Sequence, residues 1–135
     1  MLTSVIKYFI QHKFWAVLIA IIWTALIFIA CFLPGNEIPN VQIPMIDKWV
    51  HFVIFAGFSF LWYLSVPKAT VFKSLLLIIL SFLIGFIVEL IQGSSWVVGR
   101  AYEVNDVIAD GIGGILGVVL YIIIEKRVLK IIDNE

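Results

Sequence analysis

Ten polar residues stand out in an otherwise apolar chain: Asp47, Lys48, His51, Glu89, Gln92, Arg100, Glu103, Asn105, Asp106 and Asp110. Their spacing suits helices. Asp47 and His51 are four apart and share a helix face, and a carboxylate beside an imidazole can make a general base or a nucleophile. Glu89 follows fifteen uncharged residues and ends a stripe of Ser81, Gly85, Glu89 and Gln92. Asp106 and Asp110 repeat the four-residue spacing, which Gly113 and Gly117 continue. An ionised acid below the headgroups of a membrane is costly, so it faces a cavity, pairs with a cation or protonates.

The chemistry these types suit is work on a phosphate group. Arg100 can grip phosphate oxygens in a bidentate fork, with Lys48 adding a point charge. Glu89 and Asp106 can act as a second acid/base or hold a divalent cation through oxygen ligands. The candidate catalytic residues are therefore His51, Asp47, Glu89 and Asp106. The candidate substrate-binding residues are Lys48, Gln92, Arg100 and Asp110. No metal is assigned, since a divalent cation and Arg100 are alternative ways to balance the acids. Each feature also has a plain reading. Asp47 and Lys48 suit a helix-start cap and a snorkelling anchor. His51 suits an amphipathic interfacial residue. Gly113 and Gly117 suit close helix packing. Glu103 suits a solvated loop, and Trp49, Trp62, Trp96 and Tyr102 suit interfacial anchors.

The elements that must hold these residues follow from composition. Of 135 residues, 63% are hydrophobic and 13% charged, against about 25% charged in soluble domains. A soluble fold this small cannot hide so much apolar surface, so its solvent is lipid. Four apolar runs, at 14–33, 49–66, 74–92 and 105–124, are each long enough for a helix to cross a hydrocarbon core of about 30 Å. Pro34-Gly35 closes the first run, and the stretch to Met45 reads as an extended loop. Cys31, the sole cysteine, permits no intrachain disulfide and suits packing at the end of the first helix.

Lys7, Lys13, Lys68, Lys73, Lys126, Arg127 and Lys130 all fall on one side of an up-and-down arrangement, with Lys48 and Arg100 on the other. The positive-inside rule makes the first side cytoplasmic. The expected fold is thus all-α, an integral membrane four-helix bundle forming one domain over residues 1–135, with N and C termini cytoplasmic. The acids and His51 then gather in or near the outer half of the membrane. A net charge of zero gives no sign of a nucleic-acid partner. Four helices are few for an enclosed pocket, so a homo-oligomer is an option, with Gly113 and Gly117 as a candidate contact.

At these residues the sequence resembles the VanZ-like family of small bacterial membrane proteins, named for a teicoplanin-resistance protein. The matching pieces are Leu33-Pro34-Gly35, Asp47-Lys48-x-x-His51-Phe52, Glu89-x-x-Gln92, Arg100, and Asp106-x-x-x-Asp110 with Gly113 and Gly117. Nearly the whole chain after residue 14 is covered. One departure is visible: the family usually has asparagine where this chain has Asp110. The resemblance implies a multi-pass protein of the bacterial plasma membrane linked to glycopeptide susceptibility. It also implies a wider group of membrane enzymes acting on lipid head groups.

Three functions follow as expectations. One is an enzyme that hydrolyses or exchanges a phosphate-linked head group on a membrane lipid or polyprenyl-linked envelope precursor. Another is a non-catalytic protein that binds such a lipid or masks it from an antibiotic. The third, an ion pathway, needs polar residues through the full bilayer depth, and the inner halves offer little beyond Thr24, Ser59 and Ser81.

Overall fold

The computed structural model describes residues 2–38 and 43–132. Its described residues are helical and contain no strand: α1 (Leu2–Gln11), α2 (Lys13–Phe32), α3 (Ile46–Ser65), α4 (Val71–Gln92) and α5 (Val104–Ile132). The last four coincide with the four apolar runs. Three helices are long and apolar enough to cross a membrane: Lys13–Phe32, Val71–Gln92 and Val104–Ile131. α3 matches α2 in length but carries Asp47, Lys48 and His51 in its first two turns. It lies against both α2 and α5.

Helix α1 is an addition to the expected four. It buries Ile6 in a cluster with Ala16, Tyr63, Tyr121 and Val128, while Val5 and Tyr8 remain exposed. Its apolar residues lie on one side, as in an amphipathic surface helix, and its ten residues are too few to cross lipid, so run length does not reveal it. His12 separates α1 from α2 and stacks on Tyr8 at 4.1 Å between ring centroids.

The helix ends have local causes. Leu33 is extended (φ −60°, ψ 133°), as the residue before a proline tends to be, and α2 stops there. Part of the expected loop after Pro34 forms a 3-10 turn at Gly35–Glu37, whose start is tied to the α4–α5 connection by Gly35 N–H donating to Val98 O at 2.9 Å. Residues 39–42 of that loop and the acidic Asp133 and Glu135 lie outside the described residues. Thr70 caps α4 by accepting from Lys73 N–H at 3.2 Å.

The polarity of the packing is inverted relative to a soluble protein. Ile21, Leu26, Leu75, Ile79, Phe82, Ile115 and Val119 face outward, while His51, Ser59, Ser81, Glu89, Gln92, Asp106 and Asp110 are buried. Between lipid and protein interior there is no hydrophobic gain, so close van der Waals contact must hold the helices. The α3–α5 contact supplies it. A Cβ on Gly113 would stand 2.3 Å from Phe52 O, and one on Gly117 would stand 2.2 Å from Ala56 O. These glycines are therefore used inside the chain, against α3.

Candidate functional site

The first turns of α3 and α5 and the last turn of α4 meet at one end of the bundle. Helix periodicity delivers the side chains: His51 from the inner face of α3, Glu89 from the Ser81–Gly85–Glu89–Gln92 stripe, and Asp106 and Asp110 from successive turns of α5. All of these are buried, and Glu89 and Asp110 are fully so.

His51 is the centre. Its Nδ1 lies 3.0 Å from Asp110 Oδ1. Its Nε2 faces two further acids, 3.8 Å from Asp106 Oδ2 and 4.0 Å from Glu89 Oε1. An Nδ1–H donated to Asp110 leaves the Nε2 lone pair turned toward Glu89 and Asp106. It is Asp110, not Asp47, that orients the ring. Asp47 shares the α3 face as expected, but its carboxylate turns to Lys48.

Lys48 forms a second centre beside the first. Its ammonium pairs with Asp47 and Glu103, and lies 3.1 Å from Asp106 Oδ1 as an ion pair without hydrogen-bond alignment. Asp106 thus stands between lysine and histidine, one oxygen toward each.

Gly85 makes the room for Asp110, since a Cβ there would lie 2.2 Å from Asp110 Oδ2. Gln92 stands apart from the acids, with Nε2 donating to Cys31 O at 2.6 Å, a carbonyl in the last turn of α2. Arg100 is also outside the cluster: its Nε donates to Leu33 O at 3.4 Å. Placing Arg100 as a counter-charge among the acids therefore fails. Its loop position left its direction undetermined by helical periodicity.

Glu103 is the residue that spacing undervalued. Its backbone N–H donates to Glu89 Oε2 at 2.8 Å, and its side chain reaches Lys48. The available signal was its position three residues before Asp106, at the entrance to a helix. A further acid, Glu125, is buried near the other end of α5, where it accepts from Lys68 N–H at 2.7 Å, Ala69 N–H at 2.9 Å and Tyr121 Oη at 2.9 Å. Both of its oxygens are used. By contrast, Glu89 Oε1 and Asp110 Oδ2 have no hydrogen-bond partner among the described residues.

A cavity of about 360 Å³ adjoins the cluster, bounded by α2, the 3-10 turn, α3 and Arg100. Asp47, His51 and Arg100 line it together with Ala30, Val50 and Ile54. A second cavity of about 330 Å³, lined by Trp23, Leu26 and Ile27, shares Ala30, Leu33 and Ile54 with the first. The pair makes an apolar track along α2 and α3 with polar groups at one end. Cys31, on the wall of the first cavity, is buried at the end of α2 as expected.

A family model described as VanZ/LLP1 matches residues 3–125, nearly the whole chain. The chain belongs to the VanZ/LLP1 family. No curated protein and no solved structure matches it. VanZ/LLP1 proteins are membrane-associated, in keeping with the three helices of spanning length and the lipid-suited exterior. Within this VanZ/LLP1 chain, the segments carrying the resemblance supply His51, Glu89, Asp106 and Asp110 to one cluster, and place Gln92 and Arg100 at its edge, against the end of α2.

Proposed function

We propose that this VanZ/LLP1 protein acts on the phosphate-linked head group of an envelope lipid, by hydrolysis or exchange, at the cluster around His51. In this reading α2 to α5 all cross the bacterial plasma membrane, both termini are cytoplasmic, and the cluster opens toward the outer leaflet. The distribution of lysine and arginine supports that orientation.

The observation that carries the reading is the continuity between cluster and cavity. The two cavities share three lining residues, are apolar along α2 and α3, and end at Asp47, His51 and Arg100. Each falls in the lower range of small-molecule sites, which begins at about 300 Å³. A lipid laid in this track puts its chain against Trp23, Ile27 and Ile54 and its phosphate at the charged end. Arg100 is the phosphate ligand, because Lys48 is already shared among three acids. Hydrolysis adds water at phosphorus and releases the head-group alcohol, so one proton must leave the water and one must reach the alcohol. The Nε2 lone pair of His51, with Glu89 and Asp106 on either side, is where that water is activated.

The experiment is turnover by purified protein in vesicles containing phosphatidyl and polyprenyl-phosphate lipids, with release of head group measured. Loss of release in His51→Ala and Glu89→Gln supports the reading. If wild type releases nothing, yet still protects cells from a lipophilic glycopeptide, the chain is a lipid-binding or masking protein. Lys48, shared among three acids, and Gln92, whose Nε2 donates to Cys31 O, favour that second reading, since a binder needs only Arg100 and the apolar track.

A further inference from the structure

The acids around His51 outnumber the cations that reach them. Asp47, Glu103 and Asp106 meet Lys48, and Glu89, Asp106 and Asp110 meet His51. Five carboxylates therefore share one ammonium and one imidazole, and Arg100 turns away to Leu33 O. On the lysine side an ammonium reaches all three of its carboxylates. On the histidine side three carboxylates face only an imidazole. Glu89 Oε1, wholly buried, has no hydrogen-bond partner among the described residues, although it lies 4.0 Å from His51 Nε2. A buried unpartnered oxygen carries a penalty that neither close packing nor the hydrogen bond at the other oxygen removes.

We propose that His51 Nε2, Glu89 Oε1 and Asp106 Oδ2 are the protein ligands of a divalent cation of the zinc or manganese class. One ligand atom from each of the three residues lies within 4.8 Å of the other two, and His51 Nε2 stands 4.0 Å from Glu89 Oε1 and 3.8 Å from Asp106 Oδ2. Ligands at about 2.1 Å from a tetrahedral ion stand roughly 3.4 Å apart, so side-chain movements of a few tenths of an ångström to one ångström close the set. One imidazole with two carboxylates suits these ions better than calcium or magnesium, which prefer oxygen alone. Asp110 completes the arrangement. A metal-binding histidine usually donates its other ring N–H to a carboxylate or carbonyl, which fixes the tautomer and orientation, and Asp110 Oδ1 stands 3.0 Å from Nδ1 for that purpose. Asp110 is thus a positioning residue.

Three protein ligands leave at least one coordination position open, which is the pattern of catalytic rather than structural ions. The cation site takes the Nε2 lone pair, so where an ion is bound the ion, and not the free lone pair of the head-group reading, would activate water. It stands on the cluster alone and does not require the head-group reading.

The test uses the purified full chain in detergent, stripped with chelator and carried through without lipid. Manganese binding is followed by loss of the free-ion electron paramagnetic resonance signal, and zinc binding by competition with a chromophoric chelator. Wild type takes up one ion per chain. Glu89→Gln and Asp106→Asn each weaken binding at least tenfold. Asp110→Asn keeps an oxygen acceptor for Nδ1–H and stays within a few-fold of wild type, whereas Asp110→Ala weakens binding by about 10- to 100-fold. Absence of stoichiometric uptake by wild type, or unchanged affinity in monodisperse Glu89→Gln protein, overturns the proposal. If the ligand variants do not fold, equal affinities of Asp110→Asn and Asp110→Ala overturn it instead. Ion uptake without lipid turnover would sink the head-group reading and leave the cation site standing.

Discussion

His51 Nδ1 and Asp110 Oδ1, 59 positions apart in the chain, meet at 3.0 Å inside the protein. That contact fixes which nitrogen of the ring faces the other acids. It also predicts unequal effects at position 110. Asp110→Asn retains an acceptor for the ring and should shift thermal stability little, whereas Asp110→Ala strands a buried N–H at a cost of about 1–3 kcal/mol. Thermal denaturation of the two variants in the same detergent checks this. Equal losses would show that the contact orients nothing.

The α3–α5 interface predicts intolerance to the smallest side chain. A Cβ at Gly113 or Gly117 meets backbone oxygen of α3 at 2.3 or 2.2 Å, and backbone cannot rotate away as a side chain can. Gly117→Ala should cost about 1–3 kcal/mol by forcing the helices apart. A melting temperature unchanged from wild type would refute the packing described.

Much of this was legible in the sequence, and the failures are instructive. Apolar run length located α2 to α5, because a helix needs a fixed number of residues to cross lipid. Four-residue spacing put Glu89 with Gly85, and Asp106 with Asp110, on inward faces. Spacing along one helix cannot, however, say which acid of another helix a side chain will meet, so Asp47 stood in for Asp110 as the partner of His51. Arg100 sits on a connection with no periodicity, and its direction toward Leu33 O had no sequence signal. Helix α1 was hidden because apolar run length finds only helices long enough to cross lipid, and this one-sided helix has ten residues.

Glu125 predicts a separation between stability and site chemistry. Its two oxygens accept from Lys68 and Ala69 N–H groups and from Tyr121, so Glu125→Gln turns an amide donor toward one of those donors. We expect destabilisation of roughly 1–3 kcal/mol, while manganese affinity at His51 stays unchanged. Matching losses in both measurements would mean that the two ends are coupled.

Lys48 predicts an electrostatic penalty. Replacing it with methionine leaves Asp47, Glu103 and Asp106 facing one another without their shared ammonium, whereas Lys48→Arg retains the charge. Lys48→Met should lose about 3–5 kcal/mol at the buried Asp106 end, and Lys48→Arg clearly less. Chemical denaturation at neutral pH would decide, and identical midpoints would count against the pairing.

The cavity predicts a steric block. Ala30 lines both cavities, so Ala30→Phe fills the track between them. Lipid retained through purification, read by native mass spectrometry, should fall while the melting temperature holds. Undiminished retention would place the lipid elsewhere.

The glycine seam between α3 and α5 has a mechanical consequence. With those two backbones in direct contact, they form a rigid spine that cannot part without breaking the densest joint in the protein. Helix α2 is fastened to that spine through side chains, Trp23 to Ile54 O and Trp62 to Thr24. Displacing α2 would break those side-chain bonds and leave the α3–α5 seam, with His51, Asp106 and Asp110 carried on it, in one piece.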